Sequence, residues 1–399
     1  MSADTAAAAR GGLPRRRAVS FIVLLGCVSL FADMTYEGAR SVAGPYLGAF
    51  GVSAVTVGFV AGLGELIGYG VRFAAGVVAD RSGRYWAITI GGYLVNLFSV
   101  PLLALAGIWE VAAVLIVGER MGRAIRSPPR DAMLAQAAGH TGLGWGFGLH
   151  QALDQTGAIV GPLAVSLILF AGEGYRTAFA WLVVPALISM SLVVAARLSF
   201  PRPHDFDLAP PPLSTEGLPR LYWVYVGAAA LIALGYSDFA LIAYHFGKAA
   251  VMPTGWIPIL YAVAMGVDGA TGLALGALYD HIGVRTMIMA TVIAVLAVPL
   301  VFLGGFAPAV VGMVCWGIGT GAQDSVLRAA IAGLAPPQRR ATAFGLFNAL
   351  YGVAWFLGSV LLGVLYDVSI PSLVGVAMGL QAASLPVFFR IARASGPAQ

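Results

Sequence analysis

Long apolar stretches alternate with short polar breaks along nearly the whole chain. A helix that crosses a bilayer needs roughly 20 apolar residues, and each stretch meets that length. Breaks at glycine, proline and charged positions divide the stretches into twelve predicted helices. The predicted helices cover residues 18–47, 53–79, 85–106, 108–128, 146–170, 175–198, 220–247, 256–279, 285–304, 308–332, 341–366 and 371–392. The pattern therefore predicts an all-α membrane protein with twelve transmembrane helices.

One polar segment, "PRPHDFDLAPPPLSTEG" at 201–217, divides the twelve helices into two sets of six. Its prolines, charges and lack of apolar periodicity are typical of a linker. The predicted organisation follows from that division. It comprises an N-terminal segment at 1–17, a six-helix bundle at 18–198, a linker at 199–219, a second six-helix bundle at 220–392 and a tail at 393–399.

Composition agrees with a membrane class, since 59% of residues are hydrophobic and 10% are charged, against roughly 25% charged in soluble domains. The positions of the basic residues predict the orientation. Only Arg176 and Lys248 fall in segments opposite the N-terminus. Sixteen arginines fall on the N-terminal side: Arg10, Arg15, Arg16, Arg17, Arg81, Arg84, Arg126, Arg130, Arg197, Arg202, Arg220, Arg285, Arg339, Arg340, Arg390 and Arg393. This bias predicts a multi-pass protein of a bacterial-type inner (plasma) membrane with both termini cytoplasmic.

The N-terminal "PRRRAVSFIVLLGC" resembles a twin-arginine, Sec or lipoprotein signal. The apolar stretch continues past Cys27, and eleven more predicted helices follow it. We therefore interpret it as the first transmembrane helix. Cys27 and Cys315 each lie inside an apolar stretch, which suggests neither a disulfide framework nor a zinc site.

Two motifs recur in the second half of the chain. Gly76, Asp80 and Gly83 are matched by "GALYDHIG", at Gly276, Asp280 and Gly283, at an offset of 200 residues. "FGLHQAL" at 147–153 is matched by "FGLFNAL" at 344–350 at an offset of 197. Two six-helix halves in the same orientation indicate parallel repeats, which place a substrate site between the halves.

With these residues the chain resembles the major facilitator superfamily over essentially its whole length. The family's loop between helices two and three reads roughly G-x-x-x-D-R-x-G-R-R, and Gly76, Asp80, Arg81, Gly83 and Arg84 fill it, followed by Tyr85. A family pattern of proton-coupled antiporters, G-x-x-x-G-P in helix five, is met by Gly157, Gly161 and Pro162. Leu163 and Ala164 then replace the usual glycine pair, and the arginine pattern of helix four is met only loosely, at Arg120. The resemblance implies two pseudo-symmetric six-helix bundles, alternating access and antiporter-like proton coupling.

In the family, the loop motif resembles a conformational latch. The resemblance implies that Asp80 meets the positive end of a helix in the other half, while Arg81 and Arg84 hold cytoplasmic carboxylates and carbonyls. Gly76 would then allow close packing and Gly83 a tight turn. The second-half counterparts are Gly276, Asp280, Gly283 and Arg285. The alternative is that these charges only mark topology and solvate a short loop.

Ionisable residues within the predicted helices are the candidates for mechanism, because a charge at membrane depth usually faces a cavity or a partner. Asp33 and Glu37 are predicted to carry the proton, since two adjacent carboxylates resist being ionised together; a Glu37–Arg40 ion pair is the structural alternative. His150 and Asp154 are the next proton-coupling candidates. The predicted substrate-binding residues are Arg40, Glu119, Arg120, Arg123, Asp238 and His245.

The remaining intramembrane groups have a more structural interpretation. Asp324 and Arg328 are spaced i, i+4 and are predicted to form a gating or structural pair. Glu65, Arg72 and Asp268 are equally consistent with ion pairs that fix packing. Gly157, Gly161 and Pro162 form a helix-packing motif that permits close approach and a bend.

The predicted function is proton-coupled secondary active transport that exports a small organic or drug-like molecule by alternating access. The alternative is proton-coupled import of a small organic anion or nutrient, and a ligand-binding membrane sensor is a further option. The sequence contains no G-x-x-x-x-G-K loop, no His-Glu-x-x-His pattern and no G-x-S-x-G elbow, which disfavours an ATP-driven pump or an enzyme. The predicted partners are the substrate, protons and the lipid bilayer, with no nucleic acid and no cofactor, for a protein that acts as a monomer.

Overall fold

A computed structural model describes residues 15–139, 141–201, 217–336 and 339–394. Most of the predicted N-terminal segment, linker and tail lies outside these residues. Arg10 and Arg202, which were counted for the orientation, also lie outside them. The described chain is built of helices, in the order α1 Arg15–Ala49, α2 Ala54–Ser82, α3 Tyr85–Leu102, α4 Trp109–Ala138, α5 Leu143–Phe170, α6 Tyr175–Trp181, α7 Val183–Ser199, α8 Arg220–Gly235, α9 Phe239–Lys248, α10 Trp256–Ile282, α11 Arg285–Phe302, α12 Phe306–Leu334, α13 Arg340–Val368 and α14 Ile370–Ala394. A short 3₁₀ turn, Leu103–Leu105, extends α3.

These helices form the twelve predicted spans. Helices α6 and α7 together make the sixth span, and α8 and α9 make the seventh. Ten helical segments of the described chain are long and apolar enough to cross a membrane by length and composition. The other two spans are α4 and α12, of 30 and 29 residues. Helix α4 carries several ionisable side chains that are buried inside the protein, such as Glu119 and Arg120, which is why its composition alone does not mark it as a span.

The seventh span is broken where the sequence predicts one helix over 220–247. Helix α8 ends at Gly235, and α9 begins after Asp238. The backbone of Asp238 is extended, and its carboxylate accepts a hydrogen bond from the Ala240 N–H at 2.8 Å. An aspartate in this N-cap position satisfies a backbone donor that a new helix start leaves unpaired. Discontinuous helices of this kind are typical of substrate and ion sites in transporters.

The fourth span is longer than predicted. Helix α4 continues to Ala138 rather than ending at 128, and Pro128 and Pro129 lie inside it. The counting of Arg126 among cytoplasmic residues was therefore wrong, since Arg126 is 1% exposed within the bundle. Its guanidinium donates to Tyr93 and Asn96 on α3, which provides the buried partners that a membrane-embedded arginine requires.

The two halves repeat one packing arrangement. In the first half α1 packs on α5 and α7, while α4 packs on α2 and α3. In the second half α8 packs on α13 and α14, while α12 packs on α10 and α11. Each helix of the first set has the same neighbours as its counterpart six spans later. The predicted pair of pseudo-symmetric bundles is confirmed.

The halves meet along three helix pairs, α1 with α9, α2 with α13, and α5 with α10. Gln155 of α5 donates to the Met265 carbonyl of α10 within the span, and several further hydrogen bonds between the halves lie at the helix ends that are remote from the chain termini. Tyr244 donates to the Val52 carbonyl at 3.0 Å, and Ser166 donates to the Gly255 carbonyl at 2.7 Å. At the same level the Asp367 carboxylate accepts from the Ala54 and Val55 N–H groups at 3.2 and 3.1 Å. The molecule is therefore closed on the side remote from its termini, called here the closed face; the opposite side is the open face.

Candidate functional site

A cavity of about 170 Å³ lies between the two halves and is continuous with the open face. Its wall holds five arginines, which are Arg40, Arg72, Arg120, Arg123 and Arg328. Two carboxylates, Glu65 and Asp324, lie beside them. Toward the open face, the side chains of Asp324 and Arg328 are each 58% exposed, whereas that of Arg40 at depth is 20% exposed. The cavity is a cationic pocket that narrows toward the closed face.

Helix α1 directs Glu37 and Arg40 to the closed end of the cavity. Both side chains connect the two halves. The Tyr261 hydroxyl of α10 donates to Glu37 Oε2 at 2.5 Å. Arg40 Nη2 lies 3.7 Å from Asp238 Oδ2, at the break between α8 and α9. Two charged side chains one turn apart on α1 therefore contact two different elements of the other half.

Glu65 on α2 is the shared acceptor of the network. Arg40 donates to Glu65 Oε1 at 3.3 Å, and Arg120 on α4 donates directly to the same oxygen. Arg120 Nε also lies 3.3 Å from Glu119 Oε2. The Asn96 side chain donates to Glu119 Oε1 at 2.9 Å. Buried carboxylates and guanidinium groups that share partners in this way offset part of the free energy lost by removing them from water.

Arg123 lies between the network and the cavity. Its Nη1 is 3.6 Å from Glu37 Oε1, and its guanidinium carbon lies 4.6 Å from the centre of the Tyr36 ring. Arg40 Nη1 is 4.0 Å from the same Glu37 oxygen. Glu37 thus faces two arginines and one tyrosine hydroxyl, so its charge affects contacts within α1, to α4 and to α10 at once.

Asp33 and Glu37 share a face of α1 but have different partners. Asp33 is 3% exposed and lies 3.9 Å from Arg126 Nη2. Its Oδ1 atom is buried and has no hydrogen-bond partner among the described residues. Arg126 is occupied elsewhere, because its Nε donates to Asn96 at 3.2 Å and its Nη1 donates to Tyr93 at 3.1 Å. Burying a charged carboxylate without a full set of hydrogen-bond partners costs free energy, and protonation removes that charge.

The two predicted proton-coupling residues on α5 lie near the N-terminal half of α1. His150 Nε2 is 2.9 Å from the Ser29 hydroxyl, which also accepts from Arg130 at 3.2 Å. Asp154 Oδ1 is buried and has no hydrogen-bond partner among the described residues. His150 and Asp154 therefore belong to a second polar group beside Asp33, whereas Glu37 belongs to the cavity end.

The structure does not bring all predicted substrate-binding residues to the cavity. Arg40, Arg120 and Arg123 line it, and Glu119 supports Arg120 from behind. Asp238 contacts Arg40 from the helix break. His245 lies on α9 with its Nδ1 at 3.0 Å from the Tyr366 hydroxyl and its ring beside Phe302. His245 is buried within the second half, outside the cavity wall in this conformation.

The predicted latch motif lies at the open face, and its aspartate, Asp80, has no hydrogen bond or ion pair with the other half among the described residues. Asp80 is exposed and accepts a hydrogen bond from the Tyr85 hydroxyl of its own half at 2.9 Å. Gly83 ends α2 with a φ of 64°, and Gly283 ends α10 with a φ of 61°; both values lie in the left-handed region that glycine adopts readily. The other motif charges are exposed in both halves, at Arg81, Arg84, Asp280 and Arg285.

The glycines of the latch motif are less crowded than expected for close packing. A Cβ at Gly76 would lie 3.5 Å from Pro128, and one at Gly276 would lie 3.9 Å from Ser325. Both distances are ordinary van der Waals contacts. Neither glycine is required for packing in the open-face conformation.

The helix-packing motif on α5 lies directly against α1. A Cβ at Gly157 would be 2.1 Å from the Leu30 carbonyl oxygen, and one at Gly161 would be 2.3 Å from that of Met34. Both positions therefore require glycine where the two backbones approach. Pro162 follows inside α5.

On the open face, Arg328 donates to Asp324 at 3.1 Å within α12, so the predicted gating pair is an intrahelical contact here.

Sequence reasoning missed several residues of the site. Tyr261, Asn96 and Tyr93 are single polar side chains in apolar helices and give no signal of their own until their neighbours are known. Arg126 could have been found, because it follows Glu119 by seven residues and so shares its helical face. Asp367, which caps α2 from the other half, was equally unmarked in the sequence.

The family model for the Major Facilitator Superfamily matches residues 25–237 and 221–398. The chain belongs to the major facilitator superfamily. It is a membrane transporter and not an enzyme, as the family and its described members indicate. An uncharacterized protein of Mycobacterium tuberculosis (strain ATCC 25618 / H37Rv) is 38% identical over 385 residues, covering 95% of this chain and 94% of that protein.

Other similar proteins carry transporter names. An uncharacterized MFS-type transporter of Methanocaldococcus jannaschii is 25% identical over 362 residues, 87% of this chain and 89% of that protein. A multidrug resistance protein, MdtH of Proteus mirabilis, is 30% identical over 119 residues, 30% of each chain. Among solved structures, a peptide transporter POT in complex with sulfate superposes with a TM-score of 0.77 at 13% identity, covering 94% of both chains. A mutant of the nucleoside transporter NupG superposes with a TM-score of 0.75 at 13% identity, covering 93% of this chain and 98% of the other. These structures establish that this superfamily member has the transporter fold.

Proposed function

We propose that this transporter is a proton-coupled secondary active transporter that exports a small organic molecule by alternating access. The observation that supports it is the network at the closed end of the cavity. There Glu37 and Arg40 contact Tyr261 and Asp238 of the other half. These contacts exist only while the halves are together at that level, so any change in their charge alters the balance between the two conformations.

Protonation of Glu37 is the proposed switch. As a carboxylate, Glu37 accepts from Tyr261 and attracts Arg40 and Arg123. A proton on Glu37 would remove that attraction and release Arg123 toward the cavity. Asp33, with its unsatisfied Oδ1 and its distant Arg126 partner, is the second proton site, and His150 with Asp154 lies beyond it.

The orientation follows from the arginine distribution. Both termini lie on the cytoplasmic side of an inner (plasma) membrane in our proposal, so the open face in this structure is cytoplasmic. The cavity and its network are formed entirely by one chain. A monomer is therefore sufficient for the proposed transport.

Export is supported by the sequence motif at Gly157, Gly161 and Pro162, which resembles that of proton-coupled antiporters. The partial similarity to a multidrug resistance protein points the same way. The second candidate is proton-coupled import of an organic anion or nutrient. The five arginines of the cavity wall favour an anion, and the structure is equally compatible with either direction of net movement.

The test begins with a thermal-shift screen of purified protein against classes of small organic compounds. Each hit is then loaded into liposomes that contain the transporter, and its flux is followed with and without an imposed pH gradient. We expect flux that follows the gradient, stops when a protonophore collapses it, and moves substrate opposite to protons. Substrate movement in the same direction as protons would instead support import, and flux unaffected by the gradient and the protonophore would contradict proton coupling.

A further inference from the structure

The two walls of the cavity differ in chemistry. The first half contributes Arg72 from α2 and Arg120 and Arg123 from α4. The second half contributes a row of rings from α13, formed by Phe347, Tyr351 and Trp355. A molecule held between the halves therefore meets mainly guanidinium groups on the first half, with Tyr69, and mainly aromatic faces on the second half, with Arg328 toward the open face.

Hydrogen-bonding groups in this wall are unbalanced toward donors. Arg40 Nε, Arg72 Nε and Trp355 Nε1 are buried and lack a hydrogen-bond partner among the described residues. All three residues line the cavity. Among the described residues of the cavity wall, no buried side-chain acceptor atom lacks a hydrogen-bond partner. A buried donor without a partner is costly, so this wall favours a ligand that supplies acceptors.

Ion pairing singles out Arg72. Arg40 and Arg120 share Glu65, and Arg328 is paired with Asp324. Arg123 lies 3.6 Å from Glu37. Arg72 alone among the five has no carboxylate within 4.0 Å in the described residues. A guanidinium at membrane depth without an ion-pair partner is the expected anchor for an anionic group, which it can bind through two parallel hydrogen bonds.

The aromatic row offers a surface for a planar ring. Phe347, Tyr351 and Trp355 follow one another at i, i+4 and i+8 on one face of α13. The Phe347 and Tyr351 rings are stacked with centroids 5.4 Å apart, and the Trp355 ring follows at 5.9 Å from Tyr351. Rings stack favourably in offset arrangements, so an added ring is accommodated beside this row.

We propose that the molecule bound in this cavity is an organic anion that carries a planar ring. Its acidic group is bound by Arg72, with Arg123 beside it, and its ring lies against Phe347, Tyr351 and Trp355. The Trp355 N–H donates to an acceptor on the ring or its substituent. This assignment rests on the proposed transport function for its biological meaning, but the binding itself is independent of proton coupling and of the direction of transport.

Four probes of matched shape test the assignment by calorimetry and thermal shift on the purified full-length protein. They are naphthoate, its neutral amide, the corresponding naphthylmethylamine, and decahydronaphthoate, which keeps the charge but lacks the planar ring. We expect naphthoate to bind best and both single changes to weaken binding. Equal or better binding of the amide or the amine, or no binding of naphthoate at millimolar concentration, would overturn the proposal.

Variants then locate the anionic subsite. Arg72→Gln is expected to weaken naphthoate binding by about ten- to a hundredfold, since a hydrogen bond to a charged group contributes roughly 1.5–3 kcal/mol. Arg72→Lys should restore part of the affinity, whereas the matched control Arg390→Gln removes an exposed arginine near the end of α14 and should leave naphthoate binding unchanged. If Arg72→Gln unfolds the protein, Arg72→Lys and Trp355→Phe still report on the two subsites. Unchanged naphthoate affinity in folded Arg72 variants would remove Arg72 from the site.

Flux separates this inference from the proposed function. Naphthoate that binds through Arg72 but is not moved by a pH gradient in liposomes would leave the anionic site intact and contradict proton-coupled transport of that ligand class. Conversely, gradient-driven flux of the amine or the amide, with no binding of naphthoate, would support the transport function and overturn the anionic site.

Discussion

Glu37 is a side chain on which three separate elements converge. It lies on α1, faces Arg123 of α4 at 3.6 Å, and accepts from Tyr261 of α10 at 2.5 Å. Arg40, one turn away, reaches Glu65 of α2 and Asp238 of the broken seventh span. A change of one proton at this residue therefore alters attraction within the first half and across the cavity together.

The first prediction is that Asp33→Asn or Glu37→Gln uncouples transport from the pH gradient. Each substitution fixes the side chain in a neutral form that resembles its protonated state, so the proton can no longer be exchanged. We expect at least one variant to lose gradient-driven flux in liposomes while it keeps substrate exchange at equal pH. Glu173→Gln, at an exposed carboxylate of the closed face, is the matched control and should behave as wild type. Normal driven flux in both variants would direct attention to His150 and Asp154.

Much of this site could be predicted at the level of residue type. Asp33, Glu37, Arg40, Arg120 and Arg123 stand out because charges are rare in apolar helices. The pairings could not be predicted, since which arginine reaches which carboxylate depends on helix rotation and on contacts between segments about 200 residues apart. The sequence could not show that Arg40 meets Asp238, or that Glu37 receives a hydrogen bond from Tyr261.

Among the elements, α1 and α5 carry the candidate proton sites, and their backbones approach each other closely. Gly157 and Gly161 bring the two backbones together beside Asp33. A Cβ atom added at Gly157 would lie 3.0 Å from the Cβ atom of Asp33. This contact fixes the position of α1 and therefore of its charged face.

The second prediction is that Gly157→Leu or Gly161→Leu stops transport and lowers thermal stability. The added side chain meets backbone oxygen atoms of α1 that cannot move away independently, and overpacking of this kind typically costs about 1–3 kcal/mol. Gly148→Leu is the matched control on the same helix, because nothing lies within 4 Å of a Cβ at Gly148. Melting temperature and liposome flux are the measurements. Full activity and stability in both leucine variants would show that the close approach has no role.

The third prediction concerns the end of α2. The Asp367 carboxylate of the other half accepts hydrogen bonds from the Ala54 and Val55 N–H groups, the first two of α2. It therefore lies at the positive end of the α2 dipole. Asp367→Ala should weaken the closed face by about 1 kcal/mol, close to a fivefold change in the ratio of the two conformations. The measurement is the rate at which a cysteine introduced at Ala43 reacts with an impermeant maleimide added from the closed face. A faster reaction is expected, with Glu173→Ala as the control, and an unchanged rate would contradict the capping role.

The element boundaries show where pattern reading succeeds and fails. The apolar stretches predicted all twelve spans, because the bilayer imposes a minimum apolar length on each helix. The break in the seventh span was not predicted, since Tyr236, Ser237 and Asp238 are too few to interrupt an apolar stretch. The extension of α4 to Ala138 was missed because the adjacent prolines at 128 and 129 are usual helix-ending signals.

At the scale of the whole molecule, the structure shows one of the two states that the proposed alternating access requires. The halves are joined at the closed face by three helix pairs, whereas Asp80 at the open face contacts Tyr85 of its own half. Alternating access requires the opposite arrangement as well, in which the network around Glu37 and the Asp367 cap separate and the open face closes.

The fourth prediction is that Asp80→Asn slows transport but leaves ligand binding to the open-face conformation unchanged. Asp80 contacts Tyr85 of its own half here, so a loss of its charge affects only the state in which the open face closes. Flux in liposomes should fall while thermal-shift binding stays constant, and Glu110→Gln, at an exposed acid elsewhere, should change neither. Unchanged flux with normal expression would leave the motif only a topological role.

The most direct test of the central claim is a distance measurement between spin labels on the two halves. In a background without Cys27 and Cys315, one labelled pair at Ser82 and His281 reports on the open face, and a second at Glu173 and Ala249 reports on the closed face. We expect a change from mildly alkaline to mildly acidic pH to shorten the first distance and lengthen the second in the same fraction of molecules, and Glu37→Gln to abolish this response to pH. Distances that do not respond to pH, or that change at one face without the other, would contradict proton-coupled alternating access.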